Sequence, residues 1–132
     1  MDGRTPASAR HVLIVDDHEE VRNGLQRYLR VAGMLVTCVD SGAAALELLS
    51  QTTPDLVLLD IWMRDIDGFE VLRRIRADAR TAHLPVVMLS ADADEDLRER
   101  SCAAGANDYL IKAHSDLTDL PMRLSAHMRS EG

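Results

Sequence analysis

Five polar or charged residues follow short apolar segments of the sequence, and their side chains are of types that bind cations or phosphate. They are Asp16, Asp17, Asp60, Ser90 and Lys112. Taken singly, an Asp after a strand is often only a helix N-cap, and a Ser there only a turn residue. Taken together, carboxylates ~4 Å apart repel by on the order of 4 kcal/mol per pair at an effective dielectric of ~20. If the fold brings them together, the cluster predicts a bound cation.

The ligand types indicate which cation and which reaction. Oxygen ligands without His or Cys favour a hard ion, and Mg²⁺ typically uses one or two carboxylates while keeping several waters. Phosphate oxygens could take the open positions, with Lys112 as a point charge and the Ser90 hydroxyl as a hydrogen-bond donor. These groups together suit phosphoryl transfer, in which a protein mainly positions the reactants and neutralises charge.

The elements that would position these residues alternate between two hydrophobic periods. Residues 56–59 are apolar at every position, as expected of a strand buried on both faces. Between such runs lie segments with helical spacing, for example Val21, Leu25 and Leu29. The pattern predicts five strands, at residues 11–15, 35–39, 55–59, 85–89 and 108–111.

Three residues predict where helices begin or end. Ser41 is placed to cap the second helix, and Pro121 to lie in the first turn of the last one, where a missing N–H costs little. Gly105 is placed to end the fourth helix in the left-handed conformation. These signals favour helices between the predicted strands.

Five successive strand–helix units predict an α/β fold with a parallel sheet and helices on both faces. Right-handed crossovers make a three-layer, doubly wound sheet the natural closure, and the length excludes a barrel of eight units. In such open sheets, ligands bind beyond the carboxyl ends of the strands. The five polar residues all stand at predicted carboxyl ends, so we expect them to meet there.

Composition and charge limit the classes of function. The chain has 132 residues, which suits one domain, and its net charge of −7 argues against direct nucleic acid binding. No apolar run approaches the ~18 residues of a membrane span, so we expect a cytoplasmic protein without membrane contact. Cys38 and Cys102 do not form a CxxC pair, and we expect two buried free thiols rather than a zinc site.

Four segments resemble the response-regulator receiver domain of two-component systems: VLIVDD, DLVLLDIWMRDIDG, PVVMLSA and AAGANDYLIK. Each motif alone is weak, but the spacing of 30 residues from Asp60 to Ser90 and 22 from Ser90 to Lys112 is specific. The resemblance covers residues 11–129, which leaves 1–10 as an expected disordered leader and 130–132 as a tail. It implies a flavodoxin-like fold with strand order 2-1-3-4-5.

The resemblance also implies roles for the residues of the acidic cluster. Asp60 resembles the phosphoacceptor, which attacks a phosphohistidine on a sensor histidine kinase or a phosphotransfer protein. Asp17, Asp60 and the backbone carbonyl of Trp62 resemble the direct Mg²⁺ ligands, with Asp16 acting mainly through a water. Mn²⁺ could substitute for Mg²⁺.

For the remaining residues the resemblance implies phosphate binding and switching. Ser90 and Lys112 look like the groups that bind the phosphoryl oxygens. Tyr109 resembles the switch aromatic that turns inward when Ser90 is drawn to the phosphate, or else it is a core tyrosine. The output face would be the fourth helix, fifth strand and fifth helix, suited to a homodimer or a protein partner. The chain would then be a phosphoaccepting signalling domain rather than an enzyme.

Three positions depart from the family pattern. Ala113 follows Lys112 where the family usually has a proline after a cis peptide; a cis bond costs ~3–4 kcal/mol before Ala and ~0.5–1 before Pro. The peptide is therefore trans with a shifted loop, or cis and strained. Arg64 replaces a common proline, and we expect it to loosen its loop. Trp62 is bulky, and we hypothesise that it shields an acyl phosphate from water, the alternative being a cover without kinetic effect.

Three other functions compete with this interpretation. A flavodoxin-type FMN site needs a Ser/Thr/Gly-rich loop, whereas residues 16–20 here are acidic and would repel a phosphate without a metal. Phosphatases of the dehalogenase type place a second Asp two residues after the nucleophile, where this chain has Trp62. A receiver-like scaffold that is not phosphorylated and acts by protein contact alone is the serious rival. The intact set of five residues argues against it, and the missing proline favours it.

Overall fold

The computed structural model describes residues 10–91, 93–112 and 119–128, and these form one parallel five-stranded sheet flanked by helices. The strands are β1 (His11–Val15), β2 (Leu35–Val39), β3 (Leu56–Asp60), β4 (Val86–Ser90) and β5 (Asp108–Ile111). The helices are α1 (Glu19–Val31), α2 (Gly42–Leu49), α3 (Gly68–Ala77), α4 (Glu95–Ala103) and α5 (Leu120–His127). The strand order is β2-β1-β3-β4-β5, so the predicted fold class and order are confirmed. The predicted leader, except Arg10, and the predicted tail lie outside the described residues.

Side-chain alternation along β1 shows how the three layers form. Leu13 and Val15 pack into the apolar cluster that contains residues of α2, α3 and α4. Val12 and Ile14 point the other way, into the cluster that contains residues of α1 and α5. Successive side chains of a strand leave on opposite faces, so the sheet is covered on both sides. Strands β3 and β4 are buried at every position, as the apolar run at 56–59 predicts.

Two strands differ by one residue from the sequence prediction, and the difference places two polar residues inside strands. β3 begins at Leu56 and β4 at Val86, each one residue later than predicted, and each also ends one residue later. Pro85 has no N–H to pair, although its carbonyl still accepts from the Val57 N–H at 2.9 Å. As a result Asp60 and Ser90 are the last residues of their strands.

The predicted helix-end residues have the expected geometry. The Ser41 hydroxyl accepts a hydrogen bond from the backbone N–H of Ala44 at 3.0 Å, and Pro121 lies in the first turn of α5. Gly105 has φ of 106°, and its left-handed backbone follows the end of α4. Local signals therefore suffice to set these helix ends.

The cysteine prediction is half right. Both cysteines are free thiols, and Cys38 is half-buried. Cys102 is exposed, so the expectation of a buried thiol is wrong there: α4 turns Leu97 and Ser101 inward and leaves Cys102 on its outer side. Among the described residues, no helix has the length and apolar character needed to cross a bilayer.

Gly68, at the start of α3, packs directly against the backbone of the residue that ends β3. A Cβ at this position would overlap the carbonyl oxygen of Asp60 and lie 2.9 Å from the Cα of Ile61. The N–H of Gly68 also donates to the carbonyl of Ile61 at 2.7 Å. The absence of a side chain therefore lets α3 begin beside Asp60.

Replacing Gly68 with Ala should destabilise the protein, because backbone atoms cannot move aside as the end of a flexible side chain can. We expect a loss of about 1–3 kcal/mol in the free energy of unfolding, measured by urea denaturation. Gly24, within α1, has no atom within 4 Å of an added Cβ. Gly24→Ala is the matched control and should gain about 0.5–1 kcal/mol from helix propensity. A loss at Gly24 as large as that at Gly68 would contradict this account.

Candidate functional site

The sheet brings the predicted chemistry-bearing residues to one edge. Asp16 and Asp17 follow β1, Asp60 ends β3, Ser90 ends β4 and Lys112 follows β5. Strands β1, β3, β4 and β5 are neighbours in this order and run parallel, so their carboxyl ends lie side by side. The juxtaposition that the sequence predicted is present; the roles of the individual residues remain predictions.

The Lys112 ammonium joins two carboxylates in this cluster. Its Nζ lies 2.9 Å from Oδ2 of Asp16 and 3.1 Å from Oδ1 of Asp60. Asp16 is fully buried, Asp60 is 2% exposed and the Lys112 side chain 10%. Lys112 is itself held in place by its backbone N–H, which donates to the Ser90 carbonyl at 2.7 Å. Three ionised groups are thus removed from water at one edge of an apolar sheet.

The environment of Asp60 makes its carboxyl group unusually weak as an acid. Burial disfavours the charged form, the nearby Asp16 charge adds to the effect, and together they raise the pKa of Asp60 to about 6. The Lys112 ammonium and the backbone N–H of Trp62 act in the opposite direction without cancelling the rise. The carboxylates at this end of the sheet, here called the acidic edge, therefore carry more negative charge than the Lys112 ammonium neutralises.

The same residues fit a divalent cation. Oδ2 of Asp60 is buried and has no hydrogen-bond partner among the described residues. Oδ2 of Asp16 is also buried, and the Lys112 ammonium lies 2.9 Å from it. One oxygen from each of Asp16, Asp17 and Asp60 lies within 4.8 Å of the others. Buried carboxylate oxygens without donors are suited to a hard cation such as Mg²⁺.

His18 belongs to this cluster, and our sequence reasoning missed it. Its Nδ1 lies 3.0 Å from Oδ1 of Asp16 and 3.3 Å from Oδ1 of Asp17. The only signal in the sequence was its position directly after the Asp pair, and a loop residue there can equally point to solvent. The side chain is 63% exposed, so it closes the cluster from the solvent side.

The loop after β3 forms the mouth of the site. A cleft of about 340 Å³ lies there, lined by Asp17, His18, Trp62, Met63 and Arg64. The Trp62 side chain is half exposed. The backbone N–H of Arg64 donates to Oδ2 of Asp17 at 3.1 Å, a hydrogen bond that a proline could not make. Arg64 thus fastens the loop to the cluster, which opposes the loosening that we expected.

Two expectations about the region beyond the site have different outcomes. The Lys112–Ala113 peptide lies outside the described residues, so a trans peptide with a shifted loop and a strained cis peptide both remain predictions. Tyr109 is buried, and the guanidinium of Arg98 on α4 lies 4.9 Å from the centre of its ring. Tyr109 therefore touches the core on one side and α4 on the other.

A second charged cluster lies at the opposite edge of the sheet, at the start of β5. Arg123 donates two hydrogen bonds of 3.0 Å to Asp108, and Nε2 of His127 lies 3.0 Å from the same carboxylate. Burial by itself raises the pKa of Asp108, but hydrogen bonds from Arg123, His127 and the backbone N–H of Tyr109 outweigh it and lower the pKa. This cluster fastens α5 to β5 and is far from the acidic edge in the topology.

Comparison with known proteins places the chain among two-component signalling proteins. Residues 12–124 match the family model of the response regulator receiver domain. The transcriptional regulatory protein GltR of Pseudomonas aeruginosa is 39% identical over 93% of this chain and 50% of that protein. The chain thus spans about half the length of GltR, as it does of the regulator PrrA from Mycobacterium leprae.

Solved structures share the fold. The chemotaxis response regulator CheY4 of Vibrio cholerae matches with a TM-score of 0.84 and 26% identity, covering 92% of this chain and all of that one. The response regulator TrrA of Thermotoga maritima, solved in complex with Mg²⁺ and BeF, matches with a TM-score of 0.79 and 26% identity. That match covers 90% of this chain and 99% of TrrA.

Replacing Asp60 with Asn should stabilise the metal-free protein at pH 8. Because the pKa of Asp60 is raised from 3.8 to about 6, its charge is a cost to the folded state above pH 6. The gain in the free energy of unfolding should be about 1–3 kcal/mol at pH 8 and should fade as the pH falls through 6 towards 4. Urea denaturation with a chelator present measures it.

Asp108→Asn serves as a control of opposite sign. Its carboxylate, with a lowered pKa, stabilises the fold above the ordinary pKa and loses this effect as the pH falls through the lowered value. We therefore expect Asp108→Asn to be destabilising at pH 8 and nearly neutral in strong acid. A gain for Asp60→Asn that is the same at every pH would show that burial of the charge is not its cause.

Proposed function

Because the chain belongs to the response regulator receiver domain family, we propose that Asp60 accepts a phosphoryl group from a phosphohistidine on a sensor histidine kinase or phosphotransfer protein. The observation that carries this proposal is the state of Asp60. It is buried, it has an oxygen without a hydrogen-bond partner among the described residues, and it touches the Lys112 ammonium at 3.1 Å. A carboxylate so placed is held as a nucleophile beside a positive charge.

The proposed reaction is a transfer between two side chains. A carboxylate oxygen of Asp60 attacks phosphorus, an O–P bond forms, and the P–N bond to the partner's histidine breaks with its electron pair passing to the imidazole nitrogen. The product on this chain is an acyl phosphate. Since no proton has to leave Asp60, the carboxylate must only be ionised, oriented and relieved of repulsion from the approaching phosphate.

The surrounding residues supply that positioning and charge. Lys112 leaves its ion pair with Asp60 and neutralises the phosphoryl oxygens, while the Ser90 hydroxyl donates a hydrogen bond to them. Asp16 and Asp17, with Asp60 and the Trp62 backbone carbonyl, would hold Mg²⁺, or Mn²⁺ in its place.

The proposed cation is consistent with both the site and its relatives. Bound there, it would offset the repulsion between Asp60 and the phosphoryl group. TrrA, which shares this fold, was solved with Mg²⁺ and a beryllium fluoride.

The outcome that we propose is a signal rather than turnover of a substrate, so the chain acts as a phosphoaccepting domain in the cytoplasm. The Ser90 hydroxyl moves toward the phosphoryl group, and Tyr109 follows as the switch aromatic. Because the Arg98 guanidinium lies over the Tyr109 ring, such a movement would reach α4 directly. The face formed by α4, β5 and α5 then binds a second copy or another protein, with no direct contact to nucleic acid.

Incubation with acetyl phosphate and Mg²⁺ should add one phosphoryl group to the wild-type chain and none to Asp60→Ala. Lys112→Ala should react more slowly, by on the order of a hundredfold, because a preorganised charge is lost. Intact-protein mass spectrometry over time measures both. Asp55→Ala is the matched control: this Asp precedes β3 at the opposite edge and accepts from the His11 N–H at 2.7 Å. Its labelling should be unchanged.

The same experiment decides between phosphotransfer and a purely scaffolding role. Labelling of Asp60→Ala at the wild-type rate would place the acceptor elsewhere. If the folded wild-type chain takes up no phosphoryl group from acetyl phosphate or a phosphorylated kinase, the proposal fails and a scaffold acting by contact alone becomes the better description.

Trp62 should set how long the phosphoryl group remains. Its half-exposed ring lines the cleft beside Asp17, where it can limit the approach of water to an acyl phosphate. We expect Trp62→Asn to lose phosphate several times faster than wild type, while Trp62→Phe stays near the wild-type rate because it keeps a ring. Release of phosphate from purified phosphoprotein measures both rates, and an unchanged rate in Trp62→Asn would refute the shielding role.

A further inference from the structure

We propose that Asp65 is a positioning residue for the phosphoacceptor site, because it fixes the loop that carries Trp62 at the mouth of the site. The inference rests on the proposed function, since it concerns how long a phosphoryl group remains on Asp60. Asp65 would act through the backbone of the loop after β3 and not by contact with the phosphoryl group.

Asp65 binds the start of α2 with both of its carboxylate oxygens. Oδ1 accepts a hydrogen bond from the Gly42 N–H at 3.1 Å, and Oδ2 accepts one from the Ala43 N–H at 2.9 Å. Burial by itself would raise the pKa of Asp65, but hydrogen bonds from backbone N–H groups, those of Ala43 and Gly42 among them, lower the pKa. The carboxylate is therefore ionised at neutral pH, and each of its oxygens has a partner in α2.

The start of α2 obtains from Asp65 a negative charge that its own sequence lacks. The first turn of α2 contains no acidic residue. Ser41 caps the Ala44 N–H, so the two N–H groups before it, which a helix leaves unpaired, are satisfied from the loop. The contact joins an anion to the positive end of a helix dipole, which favours it even though Asp65 is exposed.

Apolar contacts hold the same loop to the core, so Asp65 sets the orientation of the loop rather than its attachment. Met63 and Ile66 pack against the apolar cluster that contains residues of α2, α3 and α4. The start of α2 also lies directly on the loop: a Cβ at Gly42 would be 3.3 Å from the Ile66 carbonyl oxygen. Loss of the Asp65 carboxylate should therefore leave the loop attached but free to turn about these contacts.

The part of the loop that Asp65 would orient lies at the mouth of the site. Trp62, Met63 and Arg64 line the cleft there together with Asp17. Arg64, the neighbour of Asp65, donates its N–H to Oδ2 of Asp17 at 3.1 Å, so the loop is bonded to α2 on one side and to the acidic edge on the other. Because the Trp62 side chain is half exposed, the backbone of this loop largely determines where its ring lies.

Replacing Asp65 with Ala should shorten the lifetime of the phosphoryl group without preventing its transfer. We expect phosphorylated Asp65→Ala to release phosphate about two- to fivefold faster than wild type, because a mobile Trp62 ring shields the acyl phosphate for less of the time. Asp65→Asn keeps one acceptor oxygen, and its rate should lie between those two. Ser41→Ala is the matched control, since it removes a cap from the same helix but keeps the Asp65 contact, and its rate should equal that of wild type.

Two measurements separate positioning from a loss of stability. Melting curves should show that Ser41→Ala and Asp65→Ala are folded, each with a Tm lower by about 2–6 °C, so stability alone cannot explain different release rates. Trp62 is the only tryptophan in the chain, and its time-resolved fluorescence anisotropy reports motion of its ring on the nanosecond timescale. Without cation or phosphodonor, this motion should be faster in Asp65→Ala and unchanged in Ser41→Ala.

A double substitution tests whether Asp65 acts through Trp62. Trp62→Asn has no ring to be positioned, so adding Asp65→Ala to it should not accelerate phosphate release further. Residues that act through one another give such non-additive effects on free energy, whereas independent residues give additive ones.

Three outcomes would overturn the inference: phosphate release from Asp65→Ala at the wild-type rate, an equal acceleration in Ser41→Ala, or effects of Asp65→Ala and Trp62→Asn that multiply in the double variant. In each of these the proposed phosphotransfer stands if acetyl phosphate labels Asp60 in wild type. If wild type is not labelled, the proposed function fails and the lifetime role fails with it, and the anisotropy of Trp62 then still shows whether Asp65 orients the ring.

Discussion

The structure depends on one electrostatic constraint: carboxylates from separate segments are buried together at the end of an apolar sheet. Asp16 and Asp60 lose their hydration there, and a single ammonium, that of Lys112, lies between them. Ion pairs removed from water recover their desolvation cost only when geometry and partners are complete. Here the set of partners is incomplete, because one ammonium faces two carboxylates. The uncompensated burial of charge raises the pKa of Asp60. The fold therefore maintains a cluster of carboxylates whose charge a bound cation would balance.

The rest of the fold supplies the rigidity that such a site needs. Gly68 lets α3 start against the backbone of Asp60, and Asp67 caps that helix by accepting from the Glu70 N–H at 3.0 Å. Asp65 accepts hydrogen bonds from the backbone of Gly42 and its neighbour, which ties the same loop to the start of α2. The loop after β3, which follows directly on Asp60, is thus fixed to both α2 and α3.

A change at the acidic edge has a short structural path to the surface. The backbone of Lys112 is bonded to Ser90 at the end of β4, and the next strand carries Tyr109 under Arg98 of α4. On the far edge Asp108 fixes α5 through Arg123. β5 is therefore held by Asp108 at its start and adjoins Lys112 at its end, so it lies between the α5 contact and the carboxylate cluster.

Much of this protein follows from its sequence, because the signals concerned are local. The alternation of strand-like and helix-like hydrophobic spacing predicted the strands and helices, and Ser41 and Gly105 predicted helix ends. Acidic residues that follow apolar segments predicted a site at the carboxyl ends of the strands. The one-residue shift of β3 and β4 and the exposure of Cys102 escaped prediction, since both depend on how neighbours pair and pack. These errors are small because strand pairing in a sheet buried on both faces leaves little freedom of register.

Only the tertiary structure decided the distances between residues that are far apart in the chain. The sequence determined that Asp16, Asp60 and Lys112 lie at the ends of strands. Strand order and register decided that the Lys112 ammonium lies 2.9 Å from the Asp16 carboxylate and 3.1 Å from that of Asp60. The same holds for His18, whose sequence position allowed it to face solvent or the cluster. The raised pKa of Asp60 is likewise a tertiary property, because it sums burial and charges whose effects vary steeply with distance.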